Sequence, residues 1–250
     1  MARQSIVKMR PSTVSDGRVA NSFEEDSSNS SDVIYERIFH AIVDHRLLPG
    51  TKLGEDKLAD ALQTTRARVR EALNRLAHEK IVVTYPHRGA FVAEPSIEEA
   101  HEILGARRVI EMATVARLAR TAKAEQIHDL ETCVAREQEA WTSGQRKTAI
   151  MLSRSFHFMI ADLAGNAVLS ELLRNVISRM SLAIALYDRP GRGDCFFGEH
   201  LGLVNAIKAH NPEEAAEIMT RHFDHMEDQL NMIEDPAGGR DLADVFKAEE

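Results

Sequence analysis

The chain has 250 residues, 44% of them hydrophobic and 28% charged, with a formal net charge of -8. That composition fits a soluble globular protein of one or two domains, and no apolar run approaches the roughly 18–20 residues that a membrane span needs. The N-terminal stretch lacks the apolar core of a secretory signal, so Cys133 and Cys195 are expected as two reduced thiols in a cytoplasmic protein.

Residues 1–30 are rich in Ser and Asn, carry no apolar period and are expected as a flexible tail. From Ser31 the pattern changes. Val33, Ile34, Ile38, Ile42 and Val43 share one helical face, with Ser31 or Asp32 placed to cap it and Pro49-Gly50 to stop it. A short second helix fits "EDKLADALQ", with Leu58, Ala59 and Leu62 facing inward. The third is "TTRARVREALNRLAHEK", Thr64 to Lys80, capped at Thr65, with Val69, Ala72, Leu73 and Leu76 at i, i+3, i+4 and i+7. Two β-branched segments, Ile81–Tyr85 and Ala90–Ala93, flank "PHRG" and read as a hairpin. Three helices and a hairpin over residues 31–95 make a winged helix-turn-helix pattern.

Ser96 and Glu99 then form a capping-box sequence. Beyond them no strand is expected. Candidate helices fall near 96–121, 124–141, 146–164, 167–187, 195–210 and 212–233, with Gly165 closing the third and Asn211-Pro212 opening the last. The fold class is therefore mainly α: the winged helix-turn-helix, an all-α bundle over 96–234 and a loose tail over 235–250.

Charge divides along the same line. Residues 31–95 hold ten Lys and Arg against nine acids, while residues 96–250 hold 17 against 26. Within 62–88, six cations meet two anions. On a helical wheel Arg66 and Arg70 line one edge of the third helix's exposed arc and Arg68 and Arg75 the other, with Ala67, Glu71 and His78 between. Long cations flanking small residues suit a helix in the DNA major groove, and His87-Arg88-Gly89 at the hairpin tip adds a second cationic contact. An isolated charge run is more often a solvated face; its place on the third helix of this unit is what favours nucleic acid.

These residues carry a resemblance. Pro49-Gly50, Leu53, Glu55, Leu58-Ala59, Leu62, Arg66, Val69 to Leu73, Leu76, Glu79 and Arg88-Gly89 look like the DNA-binding domain of GntR-type bacterial transcriptional regulators. The resemblance implies a double-stranded DNA operator read by Thr65, Arg66, Arg68, Arg70, Arg75, His87, Arg88 and Gly89. The chain departs from the family pattern at Gln63 (usually glycine), Arg68 (usually proline) and Asp56 (usually arginine), so its operator sequence is not to be borrowed from relatives. "ARRVIEMATVARLA" and "FHFMIADLAGN" resemble the helical effector domain of the FadR subfamily, the FCD domain.

Three histidines on three helices share apolar faces: His157 with Ile160 and Ala164, His200 with Phe196, Phe197, Val204 and Ile207, and His222 with Ile218, Met219 and Met226. One such histidine is ordinarily a satisfied core residue, but imidazoles converging in a bundle make a metal site. The subfamily's divalent metal is held by one Asp and three His, and His157, His200 and His222 match the His positions. Ser153 stands at the Asp position. Either the metal is lost, or three imidazoles hold Zn²⁺ (or Mn²⁺ or Ni²⁺) with an open position for water or ligand. The resemblance further implies a small carboxylate effector, met by Arg107 or Arg108 beside Ser153; pairing of these arginines with Glu111 or Glu102 is the alternative.

The expected function is that of a ligand-responsive regulator, a homodimer on a palindromic operator, and not an enzyme. A hydrolase using the three-His metal to activate water is the rival. Against it, sequence spacing places no Glu or Asp beside the histidines as a general base.

Overall fold

The computed structural model of the chain describes residues 30–187 and 196–230. The tails expected at 1–30 and 235–250 lie outside these residues, Ser30 apart. So do Cys195 and the side chains of Phe196 and Phe197.

Helix α1 (Ser31–Val43) buries Ile34, Tyr35, Ile38, Ile42 and Val43. Its cap is Ser30, one residue ahead of the expected Ser31 or Asp32. Ser30 keeps an extended backbone, and its hydroxyl accepts from the Val33 N–H at 3.3 Å, satisfying one of the donors that the first turn leaves over. Helix α2 (Glu55–Leu62) ends on Gln63 at φ +53°, in the left-handed region. Glycine takes that conformation freely, whereas a residue with a Cβ bears about 1–2 kcal/mol there. The chain keeps the turn without the residue that suits it best. Helix α3 (Arg66–His78) follows, capped by Thr65, and buries Val69, Ala72, Leu73 and Leu76. That stripe meets α1 and closes the small core.

The hairpin is β2 (Val82–Tyr85) with β3 (Gly89–Val92), turning through His87 at φ +61° and Gly89 at φ +89°. A short strand β1 (Lys52–Leu53) adds to β3, pairing Leu53 with Ala90, so the sheet order is β1-β3-β2 and every pairing is antiparallel. Two residues give no period-2 signal, which is why the hairpin alone was expected.

The remaining elements are α4 (Ile97–Thr121), α5 (Ala124–Thr142), α6 (Arg146–Leu163), α7 (Ala167–Tyr187), α8 (Phe196–Lys208) and α9 (Pro212–Gln229). Ser96 caps α4 as expected, accepting from the Glu99 N–H at 3.1 Å, but the Glu99 carboxylate is engaged by Arg179. Asn211 caps α9, its Oδ1 accepting from the Glu214 N–H at 3.1 Å while its Nδ2 donates to the Glu214 carboxylate at 3.0 Å, and Pro212 opens the helix. This helix ends at Gln229, earlier than the expected 233, because Leu230 takes an extended backbone. Leu118, Leu130, Phe156, Ile160, Leu203, Val204, Met219 and Phe223 build the core between these helices. The two cores touch through α7: Leu182 is buried among the residues of the winged helix, and Asn175 donates to the Glu79 carbonyl at 3.1 Å.

Candidate functional site

Five turns of α6 carry Ser153, Arg154 and His157 on one face, a turn apart. His157 meets His200 of α8 and His222 of α9, with ring centroids 5.0 Å apart in every pair. All three rings are buried, and one nitrogen from each lies within 4.8 Å of the others. The sequence periodicity that put each imidazole on an inward face is thus matched by a single meeting point.

Each ring is held from behind by a carboxylate. His157 donates from Nδ1 to Glu111 of α4, His200 from Nδ1 to Glu137 of α5 at 2.7 Å, and His222 from Nδ1 to Glu199 of α8 at 2.9 Å. Donation at Nδ1 fixes the tautomer, so the Nε2 lone pair is the one presented to the centre. For His157 and His200 that Nε2 is buried with no hydrogen-bond partner. Burial and the Arg107 charge hold His157 well below its usual pKa. Burial takes His222 down to about 3, against the opposing pull of Glu199. His157 and His222 are thus neutral imidazoles at pH 7, the form in which histidine ligates metal.

Counted as carboxylates, Glu111, Glu137 and Glu199 face one buried guanidinium, Arg107, whose Nε donates to Glu111 at 2.5 Å. Glu199 also meets His225 at the surface, so among the buried and partly buried side chains the acids exceed the cations by two, which is costly in a buried site unless a dication sits among them. Orphaned Nε2 atoms, oriented rings and this charge all fit a divalent metal held by His157, His200 and His222. Sequence spacing did not reveal these pairs: Glu111 and Glu137 come from helices that carry none of the three histidines, and Glu199, next to His200 in sequence, holds His222 of another helix. A lone acid in an apolar stripe was the available signal, since Glu137 shares a face with Cys133, Val134 and Ala140.

A cavity of about 90 Å³ opens beside His157. Its wall includes Ser153, Arg107, Glu137, Trp141, Arg154 and His45. Arg107 reaches the wall but is committed to Glu111, the alternative partner expected for it. Arg108 is not brought to the cavity; it pairs with Asp224 at 2.8 Å and Glu227 at 3.5 Å, both on α9 rather than on its own helix.

On the winged helix-turn-helix, α3 presents Arg66, Arg70 and Arg75 to solvent. Each has an acid beside it. Arg66 pairs with Asp56, Arg70 grips Glu55 with two hydrogen bonds of 3.0 and 2.6 Å, and Arg75 reaches Asp32 at 2.5 Å while lying over the Tyr35 ring. The Arg70 bond draws the Glu55 carboxyl below its usual pKa. Exposed pairs of this kind contribute about 0–1 kcal/mol, so they yield readily to phosphate or a guanine edge. Thr65 caps the helix and Arg68 stands a turn from it, half-buried. His87 and Gly89 shape the tip of the wing, and Arg88 lies against its Tyr85 and Phe91 rings at 5.3 and 5.7 Å.

A winged helix-turn-helix joined to a helical domain with a largely apolar cavity beside three buried histidines is the plan of a bacterial transcriptional regulator. Sequence comparison gives the particular family. Residues 30–92 match the profile "Bacterial regulatory proteins, gntR family" and residues 102–225 match the FCD domain, and the chain belongs to this family, with an FCD domain as its C-terminal part. It is 22% identical over 201 residues to the HTH-type transcriptional repressor RspR of Escherichia coli, covering 80% of this chain and 88% of that protein. The Nta operon transcriptional regulator of Aminobacter aminovorans is 25% identical over 190 residues, covering 75% and 88%. In fold, the chain is similar to the solved structure of Escherichia coli McbR/YncC, with a TM-score of 0.73 at 21% identity over 79% of this chain and 95% of that one. A GntR regulator from Rhodococcus sp. RHA1 gives 0.71 at 24% identity over 80% and 96%. Among the described residues no helix is long and apolar enough to cross a membrane.

Proposed function

We propose that this regulator binds a two-fold symmetric DNA operator as a cytoplasmic homodimer and responds to a small carboxylate bound beside a divalent metal. Residues 31–95 would read DNA and residues 96–234 would dimerise and take the ligand. The observation that carries the metal is the set of three imidazoles, each oriented by its own glutamate. His157, His200 and His222 would hold Zn²⁺, Mn²⁺ or Ni²⁺, leaving the position next to Ser153 for water or ligand. The metal would supply an open coordination position able to take a carboxylate oxygen. Trp141, Ile150 and Ile177 in the cavity wall suit the apolar body of such a ligand. Coupling between ligand and operator of this kind is worth about 1–3 kcal/mol.

Metal analysis after chelator-free purification, followed by selection of genomic fragments with the purified protein, tests this reading. Stoichiometric metal, and fragments bearing an inverted repeat that small carboxylates bind or release, are expected. Protein without metal removes the metal; fragments without a repeat remove the dimer on a palindrome.

A metal-dependent hydrolase is the second reading, and one observation favours it: Glu137 stands in the cavity wall with Oε1 buried and lacking a hydrogen-bond partner. Turnover of a p-nitrophenyl ester by metal-loaded protein, lost in Glu137→Gln, would support it. Operator binding without turnover removes it.

A further inference from the structure

The cavity beside the histidines is walled by both halves of the molecule. His45, at φ +57° just past the end of α1, lines it, and its Nε2 lies 2.8 Å from the Ser181 carbonyl of α7. Arg154, next to Ser153 on α6, lines it as well. The Arg154 side chain is only 12% exposed, and it reaches across to the DNA-binding half: Nη1 donates to the Val43 carbonyl at 2.8 Å and Nη2 to Asp44 Oδ1 at 2.7 Å. Val43 is the last residue of α1, so this guanidinium satisfies an end carbonyl and sits at the negative end of the helix dipole. α1 in turn packs on the reading helix α3 through Ile34, Ile38 and Ile42. One side chain thus touches both the candidate ligand space and the helix on which the reading helix rests.

We infer that Arg154 is the residue that meets an anionic ligand in this cavity, and that it does so in competition with Asp44, so that ligand binding releases the end of α1. The inference rests on the carboxylate reading above, and adds to it the contact residue and the route to DNA. Arg107 is a poorer candidate because Glu111 already commits it at 3% exposure, and Arg108 lies elsewhere; Arg146 also lines the cavity, at the start of α6, but it is Arg154 that carries the bonds to α1. The planar Arg154 guanidinium has the fork geometry that takes a carboxylate bidentately. A second carboxylate arriving beside the mostly buried Asp44 is repelled by it, so the two compete for one guanidinium. When the ligand wins, Asp44 and the Val43 carbonyl lose their partner and the end of α1 loosens.

The experiment uses full-length, zinc-loaded protein with malonate, lactate and citrate as probes and malonamide as the uncharged control. Calorimetry compares wild type with Arg154→Gln, Arg154→Lys, Asp44→Asn and Asp44→Ser; hydrogen exchange follows residues 43–46. Arg154→Gln should weaken carboxylate binding roughly tenfold or more at unchanged zinc stoichiometry, with Arg154→Lys between. Both Asp44 variants should bind more tightly, because the competitor is gone, whereas a purely structural pair predicts weaker binding or none. Exchange at 43–46 should rise in Arg154→Gln without any carboxylate, and should rise in wild type on adding malonate. Asp44 variants that bind no more tightly than a wild type that does bind, or unchanged exchange in Arg154→Gln, overturn the inference alone. A wild type that binds none of the carboxylates overturns the carboxylate reading, and this inference with it.

Discussion

Glu137→Gln tests the metal centre without removing a ligand. Glutamine keeps the shape and an oxygen that accepts from His200 Nδ1, so the 2.7 Å bond can persist while one of the buried negative charges goes. The uncompensated charge behind the histidines then falls from two to one. Loss of an outer carboxylate typically costs about 10–100-fold in metal affinity. Taking a 30-fold loss, zinc at about 100 times the wild-type Kd stabilises wild type by about 2.7 kcal/mol and the variant by about 0.9 kcal/mol. That difference of about 1.8 kcal/mol corresponds to a zinc-induced rise in Tm smaller by about 4–7 °C for a protein of this size. The metal-free variant should melt no lower than metal-free wild type, since removing a buried charge relieves repulsion. Paired melting scans with zinc and with chelator read both effects. An undiminished zinc shift, or a loss of metal-free stability as large as the loss in zinc response, would show that Glu137 serves packing and that the charge argument is wrong.

Arg70→Ala should weaken specific operator binding by about 1–3 kcal/mol, read by titration at fixed salt, while moving unfolding stability by less than about 0.5 kcal/mol. Equal loss on operator and random DNA would remove Arg70 from base reading. Arg68→Ala should lower the slope of log affinity against log salt by about one unit if Arg68 meets a phosphate; an unchanged slope excludes that contact. Burial, reinforced by Glu137, raises the Cys133 thiol to about 11, so its thiolate is scarce below that pH. At pH 8 iodoacetamide should label it about two orders of magnitude more slowly than a free thiol, and faster as pH rises toward 11, by peptide mass spectrometry; rapid labelling at pH 8 refutes the buried placement. Ser153→Asp should tighten zinc binding and weaken malonate binding in the same calorimeter, and tighter malonate would contradict the arrangement.

The winged helix was legible because each element carries its own local signal. Val69, Ala72, Leu73 and Leu76 fix α3, Thr65 caps it, and the β-branched run after Ile81 turns at Gly89. What was not legible is pairwise and distant. Arg66 with Asp56, Arg70 with Glu55 and Arg75 with Asp32 depend on how α2 and the start of α1 lie against α3, which no helical wheel contains. The histidines stood out because imidazoles are rare on apolar faces. Glu111 stood out only as a partner for Arg107, since a helix wheel puts it four residues on. Its second oxygen, on His157, belongs to the packing of α4 against α6. Arg154 had no signal at all: in sequence it is an arginine on a half-exposed helix, and its meaning comes from where α1 ends.

Ser153 is where the two sites connect. With an aspartate there, a bound dication would face three outer carboxylates, Arg107 and one direct anion, leaving the centre at about one net negative charge. With serine the same count comes to zero. An entering carboxylate then meets a neutral centre with an open position rather than a negatively charged and filled one. The next residue, Arg154, also lines the cavity and is already bonded to the end of α1. Substituting aspartate by serine therefore need not remove a metal; it shifts anion selectivity onto the side chain that also holds the DNA-binding half.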